Sequence, residues 1–346
     1  MMVENPDDLK DEAFLRYVRR ISLQNTIYIY VSSALQVVLF VGYLLTRSLI
    51  FPILVVPSTV IFFYSFSRMG YSIYLKLAGG TMPFSSFLRI RHRLAIIPPI
   101  LSVGLYLFIY PEVSSELWFR VLVVVGFNLL VILRIYYSFH REKLMIADRW
   151  RRTSRNMEIE RLIEADLPRF SLGVPVVLVY SGSRTGSANA SSVGLRRPII
   201  MVADTLISAL TRDELLGILS HELGHAVHHD SMKSFISTTL ALLILGDVSL
   251  YAWLKNIAPT VLIIIWVLFA IVIYYRLILI HMMRRFEIRA DRFSAAECNQ
   301  GANLVKGLLR LREVNRIPRK LPRNIVTAHP DIDFRLKEIW KYSPKE

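Results

Sequence analysis

Cysteine is almost absent from this chain. Cys298 stands alone among 346 residues, which excludes an intramolecular disulfide and any cysteine-built metal site. A metal bound here must take histidine and carboxylate ligands. Charge is sparse as well, at 20% of residues against 53% hydrophobic, and acid is scarcer than base: 27 Asp and Glu against 42 Lys and Arg leave a net charge of +15. So low a charged fraction, with the apolar residues gathered into long runs, exceeds what a soluble core of this size buries. The chain reads as a membrane protein. Its basic excess reads as the Lys and Arg that cytoplasmic loops accumulate, with no call for a nucleic-acid partner. A cleavable signal is not expected, because the first 20 residues mix Asp7, Asp8, Asp11 and Glu12 with Lys10, Arg16, Arg19 and Arg20 and have no apolar core.

Six apolar runs have spanning length: 25–45, 50–66, 94–110, 118–139, 235–254 and 258–280. The second and third are short and hold Pro52 with Pro57 and Pro98 with Pro99, so a kinked span or a re-entrant hairpin also fits them. Basic residues orient the chain. Thirteen Lys and Arg lie between the fourth and fifth runs and 15 from Arg284 onward, against Arg47 and Lys255 alone in the loops of the other side. The positive-inside rule then places both termini in the cytoplasm. The expected organisation is an N-terminal helix (1–24), four spans (25–139), a cytoplasmic segment (140–233), two further spans (234–280) and a second cytoplasmic segment (281–346). Asp247, inside the fifth run, marks either a polar cavity or, beside Tyr251 and Trp253, an interfacial position.

Within 140–233 the pattern changes. A basic helical run over 140–166 is broken at Pro168, 174–180 is a β-branched strand, and 188–194 pairs with 198–202 as a hairpin. Thr211 followed three residues later by Glu214 is a capping box, which starts a helix at Arg212 that runs to about His229. That helix carries His221-Glu222-Leu223-Gly224-His225, the pattern H-E-x-x-H. Residues four apart lie one turn apart on one face, so His221 and His225 both aim at one zinc ion, while Glu222, about 100° round the helix, reaches water at the metal. Zinc acidifies that water and polarises a carbonyl; Glu222 takes the proton and passes it to the leaving amine. Coincidental histidines on a surface helix are the bland alternative.

A catalytic zinc takes a third protein ligand. His228 lies about 10.5 Å along the axis from His221, too far to share an ion held between His221 and His225; it and His229 read as surface or interface histidines. Beyond the last run, a helix over 284–296 would put Glu287 and Asp291 one turn apart, one to bind the metal and the other to orient a ligand. A solvated helix in which Arg284, Arg285, Arg289 and Arg292 pair these acids explains the same residues.

H-E-x-x-H followed by Glu287-Ile288-Arg289-Ala290-Asp291, an E-x-x-A-D, resembles the integral-membrane zinc metallopeptidases, the family that includes the HtpX protease and the CAAX prenyl endoprotease. The likeness covers about 170–340. It implies a multi-pass α-helical membrane protein with an α+β gluzincin-like cytoplasmic catalytic domain, one zinc ion held by His221, His225 and Glu287, and Asp291 behind the ligands. It further implies that Asn189, in an N-A-x-x-x-G strand, contacts bound peptide, that His329 of His329-Pro330 helps stabilise the oxyanion, and that Arg335 braces the site. Asn189 as a simple hairpin residue and His329-Pro330 as an ordinary turn remain open readings. The 94–139 pair of runs is an addition to the HtpX pattern that the likeness does not interpret.

Both helical arms place the metal roughly 10 to 15 Å below the hydrocarbon edge at the cytoplasmic face. Substrates there are loops, tails or unfolded segments of membrane proteins, and a peptide adds as a strand beside 188–194 or 198–202. The expectation is a zinc endopeptidase for membrane-protein quality control in the lipid bilayer of a prokaryotic plasma membrane. Oligomeric state is open, a homo-oligomer included. The alternatives are a CAAX-type prenyl-peptide endoprotease, a non-catalytic zinc scaffold, which would not need Glu222, and a zinc transporter, which would keep its ionisable residues inside the spans. Histidine and carboxylate also suit other divalent ions.

Overall fold

A computed structural model of the chain describes residues 116–139, 153–168, 175–182, 188–195, 198–255, 273–315 and 329–343, with scattered single positions elsewhere. The chain divides into two compact units, Met1–Val125 with Pro259–Val261, and Gly126–Ala258 with Leu262–Glu346. The expected 1–24 helix, the first three apolar runs and most of the sixth lie outside the described residues. Helix α1 (Leu117–Phe139) coincides with the fourth run, and Leu122, Val125, Leu129 and Leu133 along it are exposed.

Of the long basic helix expected over 140–166, residues 140–152 lie outside the described residues, and the rest is a short strand followed by a helix. β1 (Ser154–Arg155) precedes α2 (Met157–Asp166) because Asn156, with extended backbone, accepts the Ile159 N–H on its side chain and so starts the helix there. β2 (Val176–Tyr180), β3 (Ala190–Val193) and β4 (Ile199–Ala203) complete a four-stranded sheet in the order β1-β2-β4-β3. β4 runs parallel to β2 with Val176 opposite Ile199, and antiparallel to β3 with Ala190 opposite Val202, so the expected hairpin forms. Flanked on both sides, Ile199-Ile200-Met201-Val202-Ala203 is buried throughout, as a central strand demands. Glu160 of α2 locks the sheet's other side: it takes two hydrogen bonds from Arg155, at 2.9 and 2.8 Å, and one from the Val177 N–H at 2.9 Å.

α3 (Asp204–Ala209) leads to α4 (Arg212–Val227), which has the predicted capping box: Thr211 Oγ1 accepts the Glu214 N–H and Glu214 Oε2 accepts the Thr211 N–H. α4 ends at His228, and His229 turns left-handed, φ 54°, before α5 (Asp230–Leu254). α5 thus starts five residues before the apolar run at 235, because its first turn, with Asp230, Ser231 and Lys233, is polar and does not read as apolar. Among the described residues α5 is the one helix long and apolar enough to cross a membrane. A π-helical turn (Tyr274–Leu279) leads into α6 (Ile280–Arg292), which widens again into a π-helical turn (Phe293–Glu297) where a helix to 296 was expected; α7 (Gly301–Val314) and α8 (Ile332–Tyr342) follow.

α4 is the hub. Leu219 on it, Leu304 on α7, Ile339 on α8, Val202 on β4 and Leu206 on α3 are fully buried in one cluster. Two glycines let its neighbours approach backbone to backbone. A Cβ at Gly217 would collide with the main chain of Asn303 and Leu304, and one at Gly224 would stand 3.1 Å from Ala290 Cα on α6.

Candidate metal centre

Because α4 and α6 touch at Gly224 and Ala290, His221 and His225 converge with Glu287, which lies 66 and 62 positions further along the sequence. His221 and His225 bring their Nε2 atoms to 3.2 Å, and Glu287 places Oε2 3.6 Å from that of His221 and Oε1 3.6 Å from that of His225. Four donors about 2.0–2.1 Å from a tetrahedral zinc stand about 3.3 Å apart, so the separations suit that ion. His221 and Glu287 are buried and His225 half-buried. Glu287 Oε2 is buried beside His329 Nδ1 at 2.9 Å and Arg335 Nη1 at 3.3 Å, and with His221 and His225 the carboxylate completes a two-histidine, one-glutamate donor set of the kind zinc takes. Peptide-bond chemistry needs a base beside such a centre, and Glu222, itself buried, adds its charge to those that favour protonated His225.

Both histidines turn their other nitrogen to a carboxylate. His221 Nδ1 lies 2.9 Å from Asp291 Oδ1, and His225 Nδ1 lies 2.8 Å from Asp230 Oδ2. Arg335, fully buried, closes the back of the site with a two-pronged grip on Asp291, Nε to Oδ2 at 2.8 Å and Nη2 to Oδ1 at 2.6 Å, and its Nη1 comes within 3.3 Å of Glu287 Oε2. His329, largely exposed, places Nδ1 2.9 Å from the same Glu287 oxygen. Burial works against the charge on Glu287, but hydrogen bonds from His225 and His329 and the positive Arg335 hold its carboxyl far below the usual range. Asp291 is held down in the same way, chiefly by Arg335 against burial. Burial likewise opposes protonation of His225, yet Asp230, Glu287 and Glu222 raise it to about 10.

The structure thus gathers His221, Glu222, His225, Glu287, Asp291, Arg335 and His329 in one cluster. The bland arrangement for α6 does not occur: Arg289 pairs with Asp230, not with the acids of its own helix, and Arg335 from α8 takes Asp291. His228 turns away, its Nδ1 on the Gly224 carbonyl and its ring edge-on to Phe293. Asn189 is exposed in the strand region beside the hub helix; its carbonyl, not its side chain, meets the Ala203 N–H at 2.9 Å. Asp230 is the residue that sequence reasoning missed. Its place five residues after the second histidine gave no signal, since on a continuous helix that spacing turns the acid away.

The model of peptidase family M48 matches residues 151–343. The chain belongs to this family. The match spans the sheet, the zinc helix, α5, α6 and α8, every element that contributes to the cluster. Peptidases of family M48 depend on zinc, and His221, His225 and Glu287 are a donor set that zinc takes. Among curated relatives, a protease HtpX of Legionella pneumophila (strain Philadelphia 1) is 34% identical over 84 residues, 24% of this chain and 30% of that protein. Protease HtpX homolog 2 of Methanosarcina acetivorans is 24% identical over 218 residues, 51% of this chain and 68% of that protein. The chain spans about a third of the length of the curated relatives it matches first. The crystal structure of S. mikatae Ste24p superposes with a TM-score of 0.61 over 98% of this chain and 91% of that one, at 18% identity, and shares the fold.

Proposed function

We propose that this member of family M48 is a zinc-dependent endopeptidase of the HtpX kind, cutting segments of misfolded or damaged membrane proteins at the cytoplasmic face of a multi-pass membrane anchor. The observation that carries the reading is the convergence of His221, His225 and Glu287 with Glu222 one residue along from the first ligand. Zinc, when bound, supplies Lewis-acid polarisation of the scissile carbonyl and makes water acidic enough to deprotonate near neutral pH. Glu222 accepts the proton of the attacking water and delivers it to the leaving amine. His329, exposed at the rim 2.9 Å from Glu287, donates to the developing oxyanion. Asp291 orients His221, and Arg335 holds Asp291 and neutralises the acids behind the ligands.

The peptide lies along β3. Of the two strands considered from sequence, β4 is central and has no free edge; β3 is the edge strand. The Asn189-to-Ala203 hydrogen bond fixes which backbone groups face β4, so those of Ala188, Ala190 and Ser192 turn outward. The Asn315 side chain takes both groups of Ala188, at 3.0 and 2.7 Å, and Ser231 Oγ donates to the Ser192 carbonyl at 3.3 Å. That leaves the N–H and C=O of Ala190 and the N–H of Ser192 without a partner among the described residues. A substrate strand meets these three groups, with Asn189 exposed beside it.

The test is cleavage of casein by the detergent-purified full chain, stripped with chelator and restored with zinc, beside Glu222→Gln. The reading expects zinc-restored cleavage that Glu222→Gln abolishes while still binding the metal. A folded, zinc-loaded chain that cuts nothing overturns it.

A further inference from the structure

The two metal-facing histidines are each backed by an acid, and the acids come from different parts of the chain. Asp291 stands in the E-x-x-A-D segment. Asp230 is the first residue of α5, the helix long enough to cross a membrane, and it is 5% exposed. Its Oδ2 meets His225 Nδ1 at 2.8 Å, and its Oδ1 is ion-paired with Arg289 of α6.

On a continuous helix this contact would not form. Positions five apart are about 140° apart round the axis, on nearly opposite faces. The left-handed backbone of His229 breaks the helix and swings Asp230 back onto His225. The same turn is tied to the sheet through Ser231 and the Ser192 carbonyl. Asp230 is thus held from three sides, by Arg289, by the positive start of α5 and by the pinned turn, and its free direction is the imidazole.

We propose that Asp230 is a positioning residue for the metal, acting through His225. By accepting Nδ1–H it selects the tautomer whose Nε2 lone pair points at His221 and Glu287, and it stops the ring from swivelling away. The anchor of one zinc ligand is therefore the first residue of the membrane helix. This rests on reading the trio as a metal site, and it does not depend on peptidase activity.

The experiment is zinc affinity of the detergent-solubilised full chain by competition with a chromophoric chelator, with thermal unfolding of each metal-free protein alongside. Asp230→Ala is expected to weaken zinc binding by about 10- to 100-fold. Asp230→Asn keeps an acceptor oxygen and recovers most of that loss, a rescue that a purely structural ion pair would not give. Asp230→Ser, which retains a helix-starting hydroxyl but falls short of the ring, repeats the loss should the alanine variant fail to fold. Arg289→Gln removes the ion pair but not the His225 contact and is expected to lower the unfolding temperature more than the zinc affinity. Folded alanine and serine variants that bind zinc as tightly as the unaltered chain overturn the proposal. So does an unaltered chain that binds no zinc, which sinks the metal reading as well. A chain that binds zinc and shows these contrasts but cuts no casein overturns only the peptidase reading.

Discussion

Arg335 is a buried cation whose removal strands two acids. With Asp291 gripped at 2.6 and 2.8 Å and Glu287 at 3.3 Å, the guanidinium is what lets both carboxylates stay charged inside the protein. Arg335→Met should lower the stability of the metal-free chain by about 3–5 kcal/mol, because it leaves uncompensated buried charge; denaturant unfolding of the two proteins measures it. Arg335→Lys should recover only part, since an ammonium has no fork to match Asp291. At this scale the sequence was legible where chemistry follows helix spacing. His221, Glu222 and His225 are an arithmetic of 3.6 residues per turn, and Glu287 and Asp291 are the same arithmetic on α6. Asp230 was not legible, because its contact is made by one left-handed residue, His229, and nothing in the local pattern marks that turn as a place where a helix folds back on itself.

The elements owe their contacts to small residues as much as to apolar ones. Gly217→Ala must drive α4 away from the α7 main chain, an overpacking that should cost about 1–3 kcal/mol in thermal or denaturant unfolding. Gly224→Ala would stand 3.1 Å from Ala290 Cα, crowded but short of the collision at Gly217, so its effect on stability should be the smaller, but it pushes apart the two helices that carry the ligands. Zinc affinity, measured by chelator competition, should fall more than stability does. A pH effect belongs to the sheet. Glu160 is held below its usual range by Arg155 and the Val177 N–H against burial. The folded pKa is depressed, so its stabilisation is complete above the unfolded value of about 4.3 and disappears as pH falls through the folded one. Glu160→Gln should flatten that acid limb of the stability profile. The capping box made α4 readable to the residue at its start, and two strand-like stretches on either side of Leu195-Arg196-Arg197 made the β3–β4 hairpin readable. The strand β1 hid in a basic stretch because two residues have no period to read, and the π-helical turns around α6 follow from packing, not composition.

For the whole molecule, membership of family M48 rests on 151–343, while the apolar runs before it are the sequence's ground for proposing a membrane anchor. Only His228 and His229 separate α4 from α5, the one described helix long and apolar enough to cross a membrane. An alkaline carbonate wash of membranes should leave the chain in the pellet and detergent should release it; recovery in the wash would refute the membrane reading. The α+β unit and the apolar helix α5 were legible in the sequence because H-E-x-x-H and hydropathy are both strong local patterns. What it gave no measure of is how much of the sheet edge stays open.

That opening has a consequence for selection. Asn315 at one end and Ser231 at the other leave three backbone groups on β3. At about 1 kcal/mol for each hydrogen bond, a docked strand gains about 3 kcal/mol, weaker than a millimolar affinity. On the docking proposed for β3, so loose a grip would sort polypeptides by persistence: a folded loop that opens rarely would depart before the bond is cut, and a segment that stays unfolded would return until it is.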